Sequence, residues 1–307
     1  MRRVFIVVIL VVAAAVLGLW RSHGGVRQSL SRAVGMPGDN SQGVTGDETR
    51  KSFDLKPGAR LQVQGINGKV EIQTSDTNTA EVYVRRTADS PSSLSRREII
   101  IEQTNDGLLV RSKQNHTGIW DHIFGTEPKE EVTIKAPRAI ALSLKGINGR
   151  VTTGEIDGPL EAKGINGRVE LGAASEYAEI SGINGGVVMG LKQLGERGAR
   201  LSGINGGIEL RLANGLNADF TSRGMNGNVR SEIPEVTVDK EDHGSRYSAH
   251  IGTGGAPITL SGINGNVRLT RANSTADSAT VNDKKEATKT QKEVKSTESK
   301  SLKDSVK

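Results

Sequence analysis

Cysteine is absent from all 307 residues. That excludes disulfides, thiol catalysis, cysteine-ligated zinc and iron–sulfur sites, and anchoring through a lipidated cysteine. Aromatic residues make up only 3% of the chain, and beyond Trp20 the only Trp or Tyr residues are Tyr83, Trp120, Tyr177 and Tyr247. The ring platforms on which carbohydrate enzymes and lectins lean are therefore scarce. The five histidines, His23, His116, His122, His243 and His250, show no His-x-x-x-His or comparable metal spacing. Asp121-His122 and Asp242-His243 are adjacent in sequence, an arrangement that rarely makes a working dyad, and they read as polar loop residues. No G-x-x-x-x-G-K-[ST] phosphate loop occurs. Neither a cofactor nor a metal is expected.

Charge is present but badly placed for nucleic acid. The chain carries +6, of which residues 1–50 hold +3, residues 51–271 only +1, and residues 272–307 +2. The basic excess lies in the flanks, where it reads as membrane orientation and a solvated tail. Residues 4–20 form an uninterrupted apolar run between Arg2-Arg3 and Arg21. A spanning helix needs about 17–25 such residues. The run, within a segment 1–21, is expected to be a transmembrane anchor. A cleaved signal segment is the alternative, although Gly18-Leu19-Trp20 is a poor cleavage site. Residues 22–51 read as a polar linker. Residues 272–307, rich in Lys, Ser, Thr and Glu, cannot bury a core and read as a disordered tail.

What the chain has in abundance is glycine, 38 residues, much of it in a repeat. The motif G-[IM]-N-G-x-[VI] occurs seven times, starting at Gly65, Gly146, Gly164, Gly182, Gly203, Gly224 and Gly262. Its Asn and second Gly are Asn67-Gly68, Asn148-Gly149, Asn166-Gly167, Asn184-Gly185, Asn205-Gly206, Asn226-Gly227 and Asn264-Gly265. Successive intervals are 81, 18, 18, 21, 21 and 38 residues. A period of about 20 marks stacked units, none of which can bury its apolar face alone. The two long intervals are close to multiples of that period, so decayed rungs are expected inside them.

The flanks show how a unit is built. Two and four residues before each motif the chain is mostly apolar, as at Leu142 and Leu144; five and seven residues after the first Gly it is apolar again, as at Val169 and Leu171. Charged residues such as Lys69, Glu71, Arg168 and Glu170 fall between. Period-two alternation means short strands with one buried face. The inward parity switches across the motif, so the motif is a corner. Asn-Gly between alternating strands also suits a type I′ hairpin. A hairpin, however, would expose the residue that is Ile six times and Met once. In a solenoid that residue turns inward on its own copies, and the Asn amides can form a ladder.

The stretch Leu61–Ile72, the segment Val132–Pro137 and the closing stretch Ile251–Leu269 together resemble the bacterial "putative adhesin" β-strand-repeat family, over roughly 52–271. The resemblance implies an all-β, single-domain, right-handed β-solenoid in a cell-envelope protein, with 251–269 as its final two rungs. It implies no catalytic residues.

Chemistry must then come from outward positions. Glu71, Glu170 and Glu209 share one offset from their motifs, but Thr152, Val188, Arg230 and Arg268 hold the same offset elsewhere, so no acidic cleft of glycosidase type is implied. Lys145, Arg150, Lys163 and Arg168 flank two consecutive motifs at matching offsets, and rungs stacked about 4.8 Å apart would gather them into a basic patch. The expected function is a non-enzymatic scaffold or adhesion module, membrane-anchored outside the cytoplasm, or secreted if the N-terminal segment is cleaved. Its expected partners are the membrane, through the N-terminal helix, and an anionic envelope polymer or a protein, with no role for nucleic acid. A polysaccharide-modifying enzyme on the same fold and an envelope-stress accessory protein are the alternatives.

Overall fold

The computed structural model of the protein describes residues 45–115, 126–240 and 246–272. The apolar run 4–20, residues 22–44 of the linker, the tail beyond 272 and the pairs Asp121-His122 and Asp242-His243 lie outside the described residues. Among the described residues no helix is long and apolar enough to cross a membrane.

The described chain opens with β1 (Thr45–Asp54), so residues 45–51, expected to be linker, are strand. β2 (Arg60–Gln64) and β3 (Gly68–Ser75) flank the first corner. Then come β4 (Thr79–Ala88), a single helical turn α1 (Pro91–Leu94), β5 (Arg97–Thr104), β6 (Gly107–Gln114) and β7 (Lys129–Pro137). Four two-strand rungs follow. They are β8 (Ala141–Lys145) with β9 (Val151–Thr153), β10 (Leu160–Asn166) with β11 (Val169–Ala174), β12 (Ala178–Asn184) with β13 (Val187–Leu191), and β14 (Ala199–Asn205) with β15 (Ile208–Leu212). The chain ends with β16 (Ala218–Asn226) and β17 (Val229–Ser231), β18 (Asp239–Lys240), β19 (Tyr247–Ile251), and β20 (Ala256–Asn264) with β21 (Val267–Arg271).

The first strand of every rung enters one sheet, of 11 strands, and the second enters another, of 10. Neighbouring rungs pair parallel with equivalent residues in register, for example Ile165 beside Ile183 and Val169 beside Val187. The inward columns are aliphatic because each strand alternates and the corner reverses parity. The motif isoleucines Ile66, Ile147, Ile165, Ile183, Ile204 and Ile263 are each 1% exposed. This rules out the hairpin, in which they would face water.

The rungs do not stack in chain order. Along the stack they run β6/β7, β2/β3, β8/β9, β10/β11, β12/β13, β14/β15, β20/β21, β16/β17. The first corner rung is thus inserted between two later ones, and the last rung between two earlier ones. Three expectations change accordingly. The interval after Gly65 holds one rung, β6/β7, with antiparallel β4 and β5, rather than rungs at a 20-residue period. The interval after Gly224 holds the short antiparallel pair β18–β19 and no rung. Residues 251–269 supply the end of β19 and a single rung, which is not the outermost. The physical reason lies at the stack ends, where an uncovered rung would expose its core and its strand edges. The chain lays the outer rung β16/β17, covers it with β19, and only then returns to fill the gap.

Of the motif-bearing rungs, the one at the end of the stack, β16/β17, is the least regular. Its inward motif residue is Met225 rather than Ile, and Ser222 stands buried where the other rungs place an aliphatic residue or alanine. A terminal rung has a twin on one side only, so identity of shape is demanded less there.

Candidate functional site

The corners align into one continuous exposed line. Asn148 Nδ2 donates to Asn67 Oδ1 (2.9 Å), Asn166 to Asn148 (3.0 Å), Asn184 to Asn166 (3.1 Å), Asn205 to Asn184 (3.2 Å), Asn264 to Asn205 (2.9 Å) and Asn226 to Asn264 (3.0 Å). All seven motif asparagines take part, in stack order rather than chain order. Every donor points toward the Asn67 end, so the amide dipoles add and each bond polarises the next. Each amide retains a second N–H and a second lone pair for solvent or ligand. Replacing Asn166 by Asp removes its donation to Asn148 and sets a carboxylate against that oxygen. A loss of about 1–2 kcal/mol is expected at neutral pH in denaturant unfolding. It should shrink below about pH 4, where the protonated acid can donate again.

Both ends of the line are closed. At the Asn67 end, Glu130 is fully buried and accepts from Asn67 N (2.8 Å) and Ser112 Oγ (2.5 Å), with Arg97 Nε at 3.3 Å. In the next rung the equivalent amide, Asn148 N, donates to the Ile66 carbonyl. The Glu130 carboxylate therefore stands in for the corner carbonyl that a motif-bearing rung would present, since β6/β7 carries no such motif. Asn67 Nδ2 donates to Pro128 O (3.2 Å), and Arg97 also donates to Gly65 O. At the other end the Tyr247 hydroxyl donates to Gly227 O (3.1 Å). Neither Glu130 nor Arg97 carries a motif, and only the fold brings them together.

Of the four basic residues expected to cluster, Lys145 and Lys163 lie on one side of this line and Arg150 and Arg168 on the other. Lys145 and Lys163 are neighbours in register on β8 and β10. Arg150 and Arg168 lie across the asparagines, linked by the bond from Val151 N to Arg168 O (2.9 Å). Lys69 joins the arginine side from the adjoining rung, since Val70 N donates to Arg150 O (2.9 Å). It was separable from the four in sequence only because 81 residues divide its motif from the next. Its identical offset was the available signal.

The lysine side is neutralised. Glu161 sits between Lys145 (3.2 Å) and Lys163 (2.7 Å), and Lys163 also reaches Glu179 (2.9 Å). The hydrogen bond from Lys163, helped by Lys145 and Ser143, pulls the Glu161 carboxyl down to about 2 against a smaller opposing effect of burial. A depressed carboxylate contributes stability above its ordinary pKa and loses it as pH falls through the folded value. The Glu161 carboxylate therefore stays ionised until pH approaches 2, and the bond from Lys163 holds Glu179 below its ordinary value as well. Across the asparagines, Lys69 pairs with Glu71 (2.7 Å) and Arg168 with Glu170 (2.5 Å). Arg150 is exposed and has no acidic partner among the described residues.

The carboxylates Glu71, Glu170 and Glu209 do share one outward column, but Thr152 separates the first two and Val188 the last two in register. No pair converges on a cleft. His250 Nδ1 lies 2.7 Å from Asp219 Oδ1 on the open surface at the distal end, where Asp219 also accepts from Gly255 N (3.0 Å). Among the described residues no three His, Asp or Glu side chains are grouped to hold a metal.

Parallel rungs, a parity-reversing corner and an asparagine line define a two-sheeted β-solenoid repeat protein. No family model matches the chain, and no curated protein matches it. Among solved structures it is similar to a putative cell adhesion protein from Clostridium sporogenes, at 13% identity and a TM-score of 0.39, covering 73% of this chain and 100% of that one. It is also similar to putative adhesins from Bacteroides fragilis (9%, TM-score 0.27, 72% and 96% covered) and Parabacteroides distasonis (13%, TM-score 0.28, 73% and 97% covered).

Proposed function

We propose that this protein is a non-enzymatic interaction module of adhesion type, held outside the cytoplasm by residues 4–20 and binding an anionic envelope polymer along the corner line. The winding in this reading is right-handed, because strand–crossover–strand connections between parallel neighbours take that hand in about 98% of cases. The observation that carries the binding reading is the asparagine line with cations on both sides, among them Arg150, which has no acidic partner among the described residues. An extended polymer laid along the stack would meet a spare amide N–H at each motif-bearing rung and cations at Lys69, Arg150 and Arg168. The charge would come from flanking side chains, and the regular spacing from the rungs.

The test is retention of the full-length chain on anionic envelope fractions. Replacing Lys145, Arg150, Lys163 and Arg168 together by Gln is expected to lower retention at least roughly tenfold at low salt, with the difference fading as salt rises. Glu161→Gln releases Lys145, while Lys163 keeps Glu179, and should raise retention. Unchanged, salt-insensitive retention in both variants would overturn the proposal.

A further inference from the structure

The two ends of the stack differ in the edges they leave open. At the distal end the outermost strands are short, three residues in β17 and two in β18. Short edges offer little to an incoming strand. At the proximal end the outermost strands are β5, of 8 residues, and β1, of 10. β5 is partly occupied, since its Arg97 carbonyl accepts from Arg86 Nη1 (2.5 Å). β1 pairs antiparallel with β4 along its whole length, and among the described residues no strand lies on its other side.

The charges of β1 are ordered in a particular way. The strand reads Thr-Gly-Asp-Glu-Thr-Arg-Lys-Ser-Phe-Asp, two acids then two bases about Thr49. Residues whose backbone groups face the open edge all share one parity. A copy of the strand can hydrogen-bond there antiparallel only if paired residues have equal parity, so the two-fold axis must pass through a residue. Centring on Asp47, Glu48, Arg50 or Lys51 sets that charge against itself. Centring on Thr49 sets Glu48 opposite the partner's Arg50 and Asp47 opposite the partner's Lys51, each pair occurring twice by symmetry. Opposite charges across strands stabilise pairing and like charges oppose it. A parallel copy in register would place like on like throughout. The same block that repels a parallel neighbour thus fits an antiparallel one.

We propose that β1 binds a second copy of this chain, the two β1 strands pairing antiparallel about Thr49 so that the ten-stranded sheets of both copies join. The faces agree with this. Asp47, Thr49 and Lys51 pair with Arg86, Val84 and Val82 on the core face of β4, while Glu48 and Arg50 pair with Arg85 and Tyr83 on its outer face. The outer charges Glu48 and Arg50 are also the ones that can be exchanged without disturbing the ion pair from Asp47 to Arg86.

The lack of cysteine makes the test direct. A single Thr49→Cys in the full-length chain, purified in detergent, puts one thiol on the two-fold axis, and a short bis-thiol reagent should join two chains. Ser52→Cys places its twin six residues along the strand, about 20 Å away, and should not be joined. Within Thr49→Cys, Glu48→Lys and Arg50→Glu should each lower the joined fraction about tenfold. Mixing those two variants should restore it. Folding of every variant is checked by its circular dichroism melt. A folded Thr49→Cys chain that stays single overturns the proposal. So do equal yields at positions 49 and 52, or charge reversals that have no effect or are not rescued by mixing.

Discussion

A chain ending at Gly255 is expected to lose the ordered distal part of the stack, whereas one ending at Ala272 keeps it. The first lacks β20 and β21, which the structure places between β14/β15 and β16/β17. Ile258, Leu260, Ile263, Val267 and Leu269 are all at most 1% exposed. At about 1.5–3 kcal/mol for each buried aliphatic side chain the loss is on the order of 10 kcal/mol. That is comparable with the whole stability of an ordinary domain. β16 and β17 would then have no rung beneath them, and β19, which pairs with β16, would lose its support. Stacked repeats are coupled mainly to their neighbours, so the rungs from β6/β7 to β12/β13 should persist. Amide hydrogen exchange would show protection lost over β16, β17 and β19 and kept over 141–191. A melt that differs little between the two truncated chains, with β16, β17 and β19 still protected, would show that the inserted rung is not what holds the distal end.

The second large effect separates the two glycines of a single corner. Gly167→Ala is expected to cost upward of about 4 kcal/mol, in the range reserved for gross misfits. Gly164→Ala is expected to cost about 1–2 kcal/mol, the ordinary penalty of a left-handed alanine. Both have positive φ, +145° at Gly167 and +64° at Gly164. They differ in what a methyl would meet. At Gly167 it would strike the carbonyl of Gly149 in the corner of the rung below, whose backbone is itself tied to the upper rung by the bond from Gly149 N to Asn166 O. At Gly164 the nearest atom is Gly146 N at 3.9 Å, ordinary contact. Unfolding midpoints in denaturant would rank the two, and equal losses would mean that strain alone, not rung spacing, makes the second glycine necessary.

Much of the candidate site was legible before the fold was known. The constant offset of Lys145, Arg150, Lys163 and Arg168 from their motifs was enough to bring them together, because strands in register turn equal offsets into adjacency. The same rule applied to Lys69 would have completed the arginine side. The acids Glu161 and Glu179 also lie at one offset, three residues before the motif, and they convert the lysine side from a cationic patch into a neutral network. The buried Glu130 and its partner Arg97 had no such signature. Each occurs once, in a stretch without the motif, and their meeting depends on β5, β6 and β7 closing the first rung.

By itself the sequence determined the rung: alternation set the strands, the parity switch set the corner, and the recurring Ile and Asn demanded that copies stack. Those are local or translational properties, and repetition makes them readable. The order of stacking is neither. Seven nearly identical corners are interchangeable neighbours as far as side-chain fit is concerned, so the repeat cannot say which copy lies beside which. That was decided in the tertiary structure by the stack ends, where β5, α1 and Glu130 on one side and β19 with Tyr247 on the other cover edges that water would otherwise reach. The single methionine among the motif isoleucines, Met225, is the trace of that decision in the sequence: it sits in the outermost rung, where only one neighbour asks for a matching shape.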